Sequence, residues 1–266
     1  MTDKLILNHF IDLGGIATRN NFYSQNAKTH KGSMLQTNRL FKRWVNAGLI
    51  QKLEPVIPVR DNWREVFYCI TKKGASYIDR GDEWKRGISK NRSPHNVFHE
   101  SMVRDVALGF LRNYPDYFIS INYDEVFKNK EVIKPDLTVR MEKDGKSYVF
   151  LIEIERKKTI DRVRKEKLDK YEKVFTGLDL KKFRLPEKFK ILFIYANLEY
   201  NSFIRPQEYV EHKVKIDKTK QQLNNLVKQS TDLSDNRYRF LSFTDFYRLN
   251  EPIWLTPKGN IVSLIN

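Results

Sequence analysis

The sequence predicts a mixed α/β (α+β) protein with two domains, a small one dominated by helices and a larger one built around a sheet. Helical patterns come first and short strand-like runs follow, and this order starts again with a long helix near residue 95. Between the two series, residues 81–94 concentrate charged residues and turn formers, which is typical of a domain boundary. We therefore expect domains at 1–90 and 91–266.

The first domain is expected to contain three helices, a two-stranded hairpin and a closing helix. This order is that of a winged helix-turn-helix, whose third helix enters the major groove of DNA. The predicted elements are a helix ended by Gly14-Gly15, a short helix from Thr18, a helix at 33–46 stopped by Gly48, strands at 49–53 and 65–70, and a helix that follows residue 70.

The third of these helices has an apolar side and a polar side. The apolar positions, expected to be buried, are Leu40, Phe41, Trp44 and Val45. The polar side combines residue types that bind base edges and phosphates, and it is equally the pattern of a solvated helix face. The basic character of the chain favours DNA contact, and the candidate DNA-binding residues are Gln36, Asn38, Arg39, Lys42 and Arg43.

The chain is strongly basic, with 49 Lys and Arg against 33 Asp and Glu and a net charge of +16. This excess is shared by both domains, and it favours a polyanionic partner, double-stranded DNA in the first place. No apolar run approaches the roughly 18–20 residues that cross a bilayer, and no signal peptide is recognisable, so no membrane partner is expected. The single cysteine, Cys69, excludes an intramolecular disulfide and a cysteine zinc cluster, which fits a cytoplasmic protein.

The second domain has the pattern of a sheet with helices. The order helix, three strands, helix, strand (αβββαβ) predicts an α/β core with an antiparallel start and a crossover helix. The predicted elements are a helix at 95–113, strands at 117–123, 132–141 and 147–155, a basic helix at 159–175, a strand at 190–196, a helix near 216–227 and a strand near 238–243.

Three carboxylates are expected to converge on one pair of these strands. Sixteen residues separate Asp136, in Lys134-Pro135-Asp136-Leu137, from Glu153. Alternation turns Glu153 and Glu155 to the same side of their strand, and a short turn at 142–146 brings Asp136 beside them. Such carboxylates repel one another unless a divalent cation or a proton compensates. Mg²⁺ (or Mn²⁺) suits oxygen ligands and activates water for phosphodiester hydrolysis, so all three are candidate metal ligands and catalytic residues.

The Pro-Asp dipeptide, the following E-x-E strand and the crossover helix resemble the PD-(D/E)XK restriction-endonuclease-like superfamily. This resemblance implies a nuclease-like domain in which Asp136, Glu153 and Glu155 form the active site. The third motif position in that superfamily is usually Lys, and here it is Glu155, a variant that some members use.

More narrowly, the chain resembles the replication-relaxation family, proteins of plasmids and other mobile elements that join a winged helix to such a domain. The resembling residues are His95, Pro135-Asp136, 151–156, Thr159 and 167–171. The family commonly shows an acidic residue, a basic one, Gly and Thr at the strand's end, whereas residues 155–159 lack the Gly and have one residue more. The resemblance implies DNA nicking or relaxation in plasmid replication or mobilisation.

That role implies other replication or mobilisation proteins as partners. Winged-helix proteins also commonly bind DNA as two-fold pairs, so a homodimer is a further expectation, although no dimer seam can be read from the sequence.

Lys167 is the candidate replacement for the missing motif lysine. It shares a helical face with Val163 and Tyr171 that is directed at the sheet, and a lysine there must snorkel or find a carboxylate. One interpretation has it supply positive charge to Glu153 and Glu155, with Tyr171 as an accessory residue. The other is a salt bridge at the edge of the helix.

The helix at 95–113 offers further accessory candidates. His95 and His99 have the spacing of a metal pair but no clear third ligand, so packing or phosphate contact is the alternative. Glu100 is a candidate acid, because the superfamily often places one on this helix. The basic residues of the helix at 159–175 form either a solvated face or a phosphate track.

Two classes of function therefore stay open. The first is an Mg²⁺-dependent endonuclease or nickase, in which Lys167 or Glu155 positions the attacking water. The second is an origin-binding or regulatory factor with a catalytically idle nuclease fold. A relaxase with a His-x-His metal pair is excluded, because no two of the five histidines are separated by a single residue, and no P-loop motif occurs.

Overall fold

The computed structural model describes residues 3–12, 14–19, 22, 33–53, 57–60, 63–85, 94–129, 131–156, 160–176, 180–196 and 213–265. Internal contacts divide the chain into two units, the first formed mainly by Met1–Leu108 and the second by Gly109–Glu199 with Arg205–Asn266. The division falls within a long helix, beyond the charged stretch at 81–94.

The first unit alternates short helices and strands. In chain order its elements are α1 (Asp3–Asp12), β1 (Ile16–Thr18), α2 (Met34–Asn46), β2 (Ile50–Lys52), β3 (Ile57–Arg60), β4 (Trp63–Glu65), β5 (Phe67–Ile70) and α3 (Lys72–Tyr77).

A three-stranded sheet in the order β1-β5-β2 organises this unit. Strand β5 lies in the centre and pairs antiparallel with both neighbours, as in the register Ile16↔Cys69 and Ile50↔Ile70. The buried run Ile16–Thr18 completes the sheet, and the helix predicted from Thr18 follows directly, since Arg19 and Phe22 are both helical. Most of residues 20–32, where that helix was expected, lie outside the described residues. A second hairpin, β3–β4, occupies the predicted loop between the wing strands.

Helix α2 begins at a capping box. The Ser33 hydroxyl accepts a hydrogen bond from the backbone N–H of Gln36, and the Gln36 side chain accepts one from the backbone N–H of Ser33. Gly48, with a φ of 68°, follows the end of the helix, as the sequence predicts.

The buried side of α2 is narrower than predicted. Thr37, Phe41 and Trp44 are buried, at the spacing of one helical face. Leu40 is half-buried and Val45 is 38% exposed, because these two positions lie at the margins of that face. The prediction that Val45 is buried is therefore wrong.

The chain from residue 94 onward contains the large sheet and its helices. The elements are α4 (Pro94–Asn113), β6 (Phe118–Asn122), β7 (Phe127–Lys128), β8 (Val132–Ile133), β9 (Leu137–Lys143), β10 (Lys146–Arg156), α5 (Ile160–Val163), a π-helical turn (Arg164–Leu168), α6 (Asp169–Phe175), β11 (Lys190–Ala196), α7 (Lys213–Lys228), β12 (Tyr238–Ser242), β13 (Trp254–Leu255) and β14 (Ile261–Val262).

In the described part of the chain, seven strands form one mixed sheet in the order β14-β13-β12-β11-β10-β9-β6. Strands β10, β11 and β12 run parallel, and the remaining neighbours pair antiparallel. The predicted mixed α/β class is thereby confirmed.

A helical connection, residues 160–175, joins β10 to β11 and is called the crossover helix below. It consists of α5, the π-helical turn and α6. Its side chains Val163, Tyr171 and Val174 are fully buried and belong to the same hydrophobic cluster as Leu151 and Phe193 of the sheet. Burial of this apolar face fixes the crossover helix against the two strands that it connects.

The strand predicted at 132–141 is divided in two. Pro135 lacks a backbone N–H and cannot donate to the ladder, so the strand stops before it and resumes at Leu137. The first piece, β8, pairs with β7, and the second, β9, joins the large sheet. This interruption places Asp136 just outside β9.

None of the helices in the described part of the chain combines the length and apolar character that a membrane crossing requires.

Candidate active site

The β9–β10 ladder brings Asp136 beside Glu153. Leu137, the first residue of β9, lies opposite Ile152 at the end of the antiparallel ladder. The next pair beyond it is therefore Asp136 and Glu153. The Asp136 carboxylate is held there because its Oδ2 accepts a hydrogen bond of 2.8 Å from the backbone N–H of Ile154. The structure thus brings together two of the three predicted carboxylates.

The crossover helix supplies two donors to the Glu153 carboxylate. The Tyr171 hydroxyl donates to Oε1 at 2.8 Å, and the Lys167 ammonium donates to Oε2 at 2.5 Å. The Glu153 side chain is only 2% exposed, whereas that of Lys167 is 27% exposed. Both oxygens of a buried carboxylate are therefore held by protein donors, and the lysine keeps a path to solvent.

Lys167 reaches the carboxylate from an irregular turn. It lies in the π-helical turn Arg164–Leu168, which adds one residue to the repeat of the crossover helix. Such turns are rare and are frequently found at functional sites. Lys167 forms its salt bridge with Glu153 itself and not with a residue along the helix edge. This contact agrees with the first of the two interpretations of Lys167.

Burial and neighbouring charges shift the pKa values of Glu153 and Lys167. Burial, and after it the negative charge of Asp136, raises the pKa of Glu153 to about 7, although Lys167 and Tyr171 favour the ionised form. Burial alone would lower the pKa of Lys167, but the carboxylates of Glu153 and Asp136 outweigh it and hold that pKa above its usual value. Lys167 is therefore a permanent cation beside a carboxyl group that titrates near neutrality.

Glu155 is buried but does not complete a cluster of three. No group of three or more His, Cys, Asp or Glu side chains among the described residues is positioned to hold a metal ion. The expected convergence of Asp136, Glu153 and Glu155 is thus not formed, because two residues along a strand separate Glu155 from the level of Glu153 by about 6–7 Å. The negative charge of Glu155 nevertheless contributes to raising the pKa of Lys167.

The carboxylate oxygens of this site are suitable ligands for a hard divalent cation, but fewer than three of these side chains converge on one point. Asp136 and Glu153 offer carboxylate oxygens, the ligands that Mg²⁺ prefers, and Glu155 adds another on the same strand. Lys167 already lies against Glu153, so an ion bound by Glu153 would share that carboxylate with the ammonium group.

Tyr195 lies next to Glu155 and contacts Gln222, and neither residue was predicted. Tyr195 is in register with Glu155 across the parallel β10–β11 pair, and its hydroxyl donates to Oε1 of Gln222 at 2.7 Å. Gln222 belongs to α7, a helix to which the sequence assigns no role. The signal for Tyr195 was its position near the carboxyl end of an apolar strand that is parallel to the E-x-E strand.

The accessory candidates on α4 have separate outcomes. The side chain of His95 lies outside the described residues, and His99 is half-buried. Glu100 is buried in the first unit, where its carboxylate lies 3.4 Å from the guanidinium of Arg104. Arg104 is itself fully buried and also donates to the backbone oxygen of Gly14.

Two basic side chains of the predicted phosphate track form ion pairs within the chain. Arg162 pairs with Glu166 at 2.6 Å, and Arg164 pairs with Asp232. Lys157 and Lys158 lie outside the described residues. For the two arginines, the structure therefore shows charge neutralisation within the chain.

The candidate DNA-binding residues lie on the outer side of α2 in the first unit. Gln36, Arg39, Lys42 and Arg43 are exposed, and Asn38 is half-buried. The Asn38 side chain accepts a hydrogen bond of 3.1 Å from Arg19, and Oε1 of Gln36 is used in the capping box. The two arginines and Lys42 are the long cationic side chains of this surface.

We predict that the metal-free protein loses stability as Glu153 ionises. The folded-state pKa of about 7 lies above the ordinary value of 4.5, so the stabilising contribution is complete below pH 4.5 and is lost as the pH rises through 7. The loss should be on the order of 3 kcal/mol. Urea unfolding between pH 4.5 and 8 measures it, and Glu153→Gln should remove this part of the pH dependence. A mutant curve parallel to that of the wild type would contradict the assignment.

We also predict that Lys167→Met is destabilising at pH 8, because it leaves the Glu153 carboxylate buried without its cation. The expected cost is about 3 kcal/mol, the low end for breaking a buried pair. Adding Glu153→Gln should restore most of the loss, as measured by urea unfolding. Lys170→Met, at an exposed position of the same helix, is the matched control. Equal effects of the two single variants would show that the pair contributes nothing.

Comparisons with known proteins leave the family open. No family model matches the sequence, and no curated protein matches it. Among solved structures, the restriction endonuclease FokI aligns over 92% of this chain and 42% of its own, with 12% identity and a TM-score of 0.27. FokI bound to DNA aligns over 92% and 43%, with 13% identity and a TM-score of 0.25. The chain thus spans less than half of the FokI chain, and at these TM-scores the alignments support no statement about its fold or activity.

Proposed function

We propose that this protein is a metal-dependent DNA endonuclease or nickase, with a winged-helix DNA reader in the first unit and a PD-(D/E)XK-like domain in the second. The observation that carries the proposal is the juxtaposition of Asp136 and Glu153 at adjacent strands, with Lys167 hydrogen-bonded to Glu153. A purely structural strand end has little use for two buried or half-buried carboxylates side by side.

The proposed metal is Mg²⁺ or Mn²⁺, with Asp136 and Glu153 as ligands and water at the remaining positions; Glu155, two residues further along the strand, is not placed to complete the set. When bound, the ion polarises the phosphodiester and lowers the pKa of a water. Tyr171 fixes the orientation of the Glu153 carboxylate through its hydrogen bond. Lys167 keeps a positive charge at the solvent-facing side of this carboxylate, where it attracts a phosphate that two or three acids would otherwise repel.

The proposed DNA reader is α2 with the sheet β1-β5-β2. Its element order, a helix followed by strands β2 and β5 and a closing helix, is the one that presents a recognition helix in winged-helix proteins. Arg19, Lys42 and Lys52 line a small pocket of about 230 Å³ beside α2, which places further cationic groups on this side. Long basic side chains around a polar helix face suit contacts with the phosphate backbone.

The biological setting that we propose is a mobile genetic element, in replication or mobilisation. This part rests on the resemblance to the replication-relaxation family at residues 135–136, 151–156 and 167–171. Replication or mobilisation proteins would be the partners.

A second function, DNA binding by an idle nuclease fold, is favoured by a specific observation. Both oxygens of Glu153 are held by Tyr171 and Lys167, so the carboxylate is satisfied without a metal ion. In that case the protein acts as an origin-binding or regulatory factor.

We predict that the wild-type protein nicks supercoiled plasmid DNA in Mg²⁺ or Mn²⁺ and that Glu153→Gln reduces the reaction to the level without metal. The substitution keeps the shape of the side chain and removes the negative charge that ligation requires. Gel analysis of nicked and linear products measures the rate.

The matched control for cleavage is Glu142→Gln, at an exposed position of β9, which should nick like the wild type. Metal-independent nicking, or equal activity of Glu153→Gln, would refute the hydrolytic site. No cleavage by any variant, with DNA binding retained, would select the idle-nuclease alternative.

DNA binding by α2 is tested separately. We expect Arg39→Ala with Arg43→Ala to weaken duplex binding at least about tenfold and to lower the slope of log K against log salt by about 2. Fluorescence anisotropy over a salt series measures both. Lys72→Ala with Lys85→Ala removes the same charge elsewhere in the first unit and is the control. Equal losses in the two double variants would mean that overall charge, and not this helix, determines binding.

A further inference from the structure

The second unit contains a large basic pocket at the end of the sheet opposite to the carboxylates. The pocket has a volume of about 880 Å³ and is formed where β10, β11 and β12 begin, with the loops that precede β11 and β12. Glu153 lies toward the carboxyl end of β10, and Asp136 lies opposite it, just before β9. The pocket is therefore not part of the candidate active site. It is called the basic pocket below.

Cationic side chains dominate the lining of the basic pocket. The lining includes one acidic residue, Glu187, and five basic ones. The basic lining residues are Lys146, Lys188, Lys190, Arg237 and Arg239. A concentration of like charge in one concavity costs free energy unless an anion occupies it.

Arg239 is buried and Lys190 is partly buried, and the pKa values of both are lowered. Burial, and after it the neighbouring guanidinium of Arg239, lowers the pKa of Lys190 to about 8. Burial also lowers the pKa of Arg239, which is only 8% exposed. The Lys190 ammonium donates a hydrogen bond to the backbone oxygen of Leu264 at 2.5 Å, and this oxygen carries no charge.

The guanidinium of Arg239 is only partly satisfied. Its Nη1 donates to the backbone oxygens of Asp235 and Tyr238, at 2.6 and 2.7 Å. Its buried Nε has no hydrogen-bond partner among the residues that the structure describes. The carboxylate of Asp235 offsets this burial in part, and the hydrogen-bond partners of the guanidinium are neutral carbonyls, so an anionic ligand would complete its countercharge.

Aromatic side chains complete the basic pocket. Tyr148 and Phe189 line it, and the Arg237 guanidinium lies 4.8 Å from the centre of the Phe189 ring. This contact orients Arg237 beside the pocket. The volume lies in the range of sites for small molecules, about 300–1,000 Å³.

We propose that the basic pocket binds a ligand that carries two or more phosphoryl groups, held by Lys188, Lys190, Arg237 and Arg239. Guanidinium and ammonium groups are the side chains that bind phosphate oxygens most strongly, and several of them at one pocket select a polyphosphate over a single carboxylate. The phosphoryl groups belong either to a free nucleotide or to the end of a nucleic acid strand, and both sources present the same chemistry to the pocket.

The test is isothermal titration of the full chain with three probes, inorganic triphosphate, ATP and a short single-stranded oligonucleotide with a 5′-phosphate. We expect saturable triphosphate binding that Lys188→Gln with Arg237→Gln weakens at least about tenfold. Neither residue is fully buried, so the double variant is expected to fold. Lys182→Gln with Lys228→Gln, two exposed lysines outside the pocket lining, is the charge-matched control and should bind like the wild type.

The other probes identify the source of the phosphate. Tighter binding of ATP than of the oligonucleotide supports a free nucleotide, and the reverse order supports a strand end, provided that the pocket variant loses the binding. The titrations contain no divalent cation and do not measure cleavage, so failure of the nuclease proposal does not affect this test. No saturable binding of any probe, or an equal loss in the control variant, would overturn the proposal.

Discussion

The candidate active site depends on one constraint, the burial of the Glu153 carboxylate between the sheet and the crossover helix. A charged group in this position is tolerated only with compensating donors, and the crossover helix provides them in Tyr171 and Lys167. The apolar residues on either side, such as Val163 and Val174, are fully buried and hold these donors in place. The packing of the crossover helix against the sheet therefore also places the donors that satisfy the Glu153 carboxylate.

The same constraint explains why the site uses an irregular helix. Lys167 must reach a carboxylate while its stem lies against an apolar sheet, and the π-helical turn Arg164–Leu168 is the segment that presents it. Arg164 in this turn is tied to Asp232 on the following part of the chain, which anchors the turn from outside. A turn held on both sides provides a fixed position for the ammonium group, whereas a long lysine on a regular exposed helix would sample many.

Most of the second unit could be predicted from the sequence, because its signals are local. The apolar runs at 147–155 and 190–196 predicted β10 and β11 within two residues at either end, and the spacing of Val163, Lys167 and Tyr171 predicted the side of the crossover helix that meets the sheet. The pairing of Asp136 with Glu153 also followed from the turn at 142–146. The strand break at Pro135 has a signal in the sequence as well, because proline lacks the backbone donor that a ladder needs.

What could not be predicted depends on neighbours far apart in the chain. Strand β1 exists because β5 offers it a partner about fifty residues later, and a three-residue run carries no recognisable pattern of its own. Glu155 was grouped with Glu153 by alternation, but alternation gives the side of a strand and not the distance to Asp136. The basic pocket joins residues 146–148, 186–190 and 234–239, and only the parallel order β10-β11-β12 brings these segments together.

The choice between an active and an idle nuclease is at root a question of charge. With Glu153 ionised, the negative charges of Asp136 and Glu153 together exceed the positive charge of Lys167. The net negative charge that is left attracts a divalent cation. With Glu153 protonated, Asp136 and Lys167 balance each other, and the attraction largely disappears. Because the pKa of Glu153 is raised to about 7, both states are populated near neutrality. Lys167 therefore does not by itself mark a dead site, since a lysine that shares the carboxylate with a cation also neutralises the phosphate that must approach it.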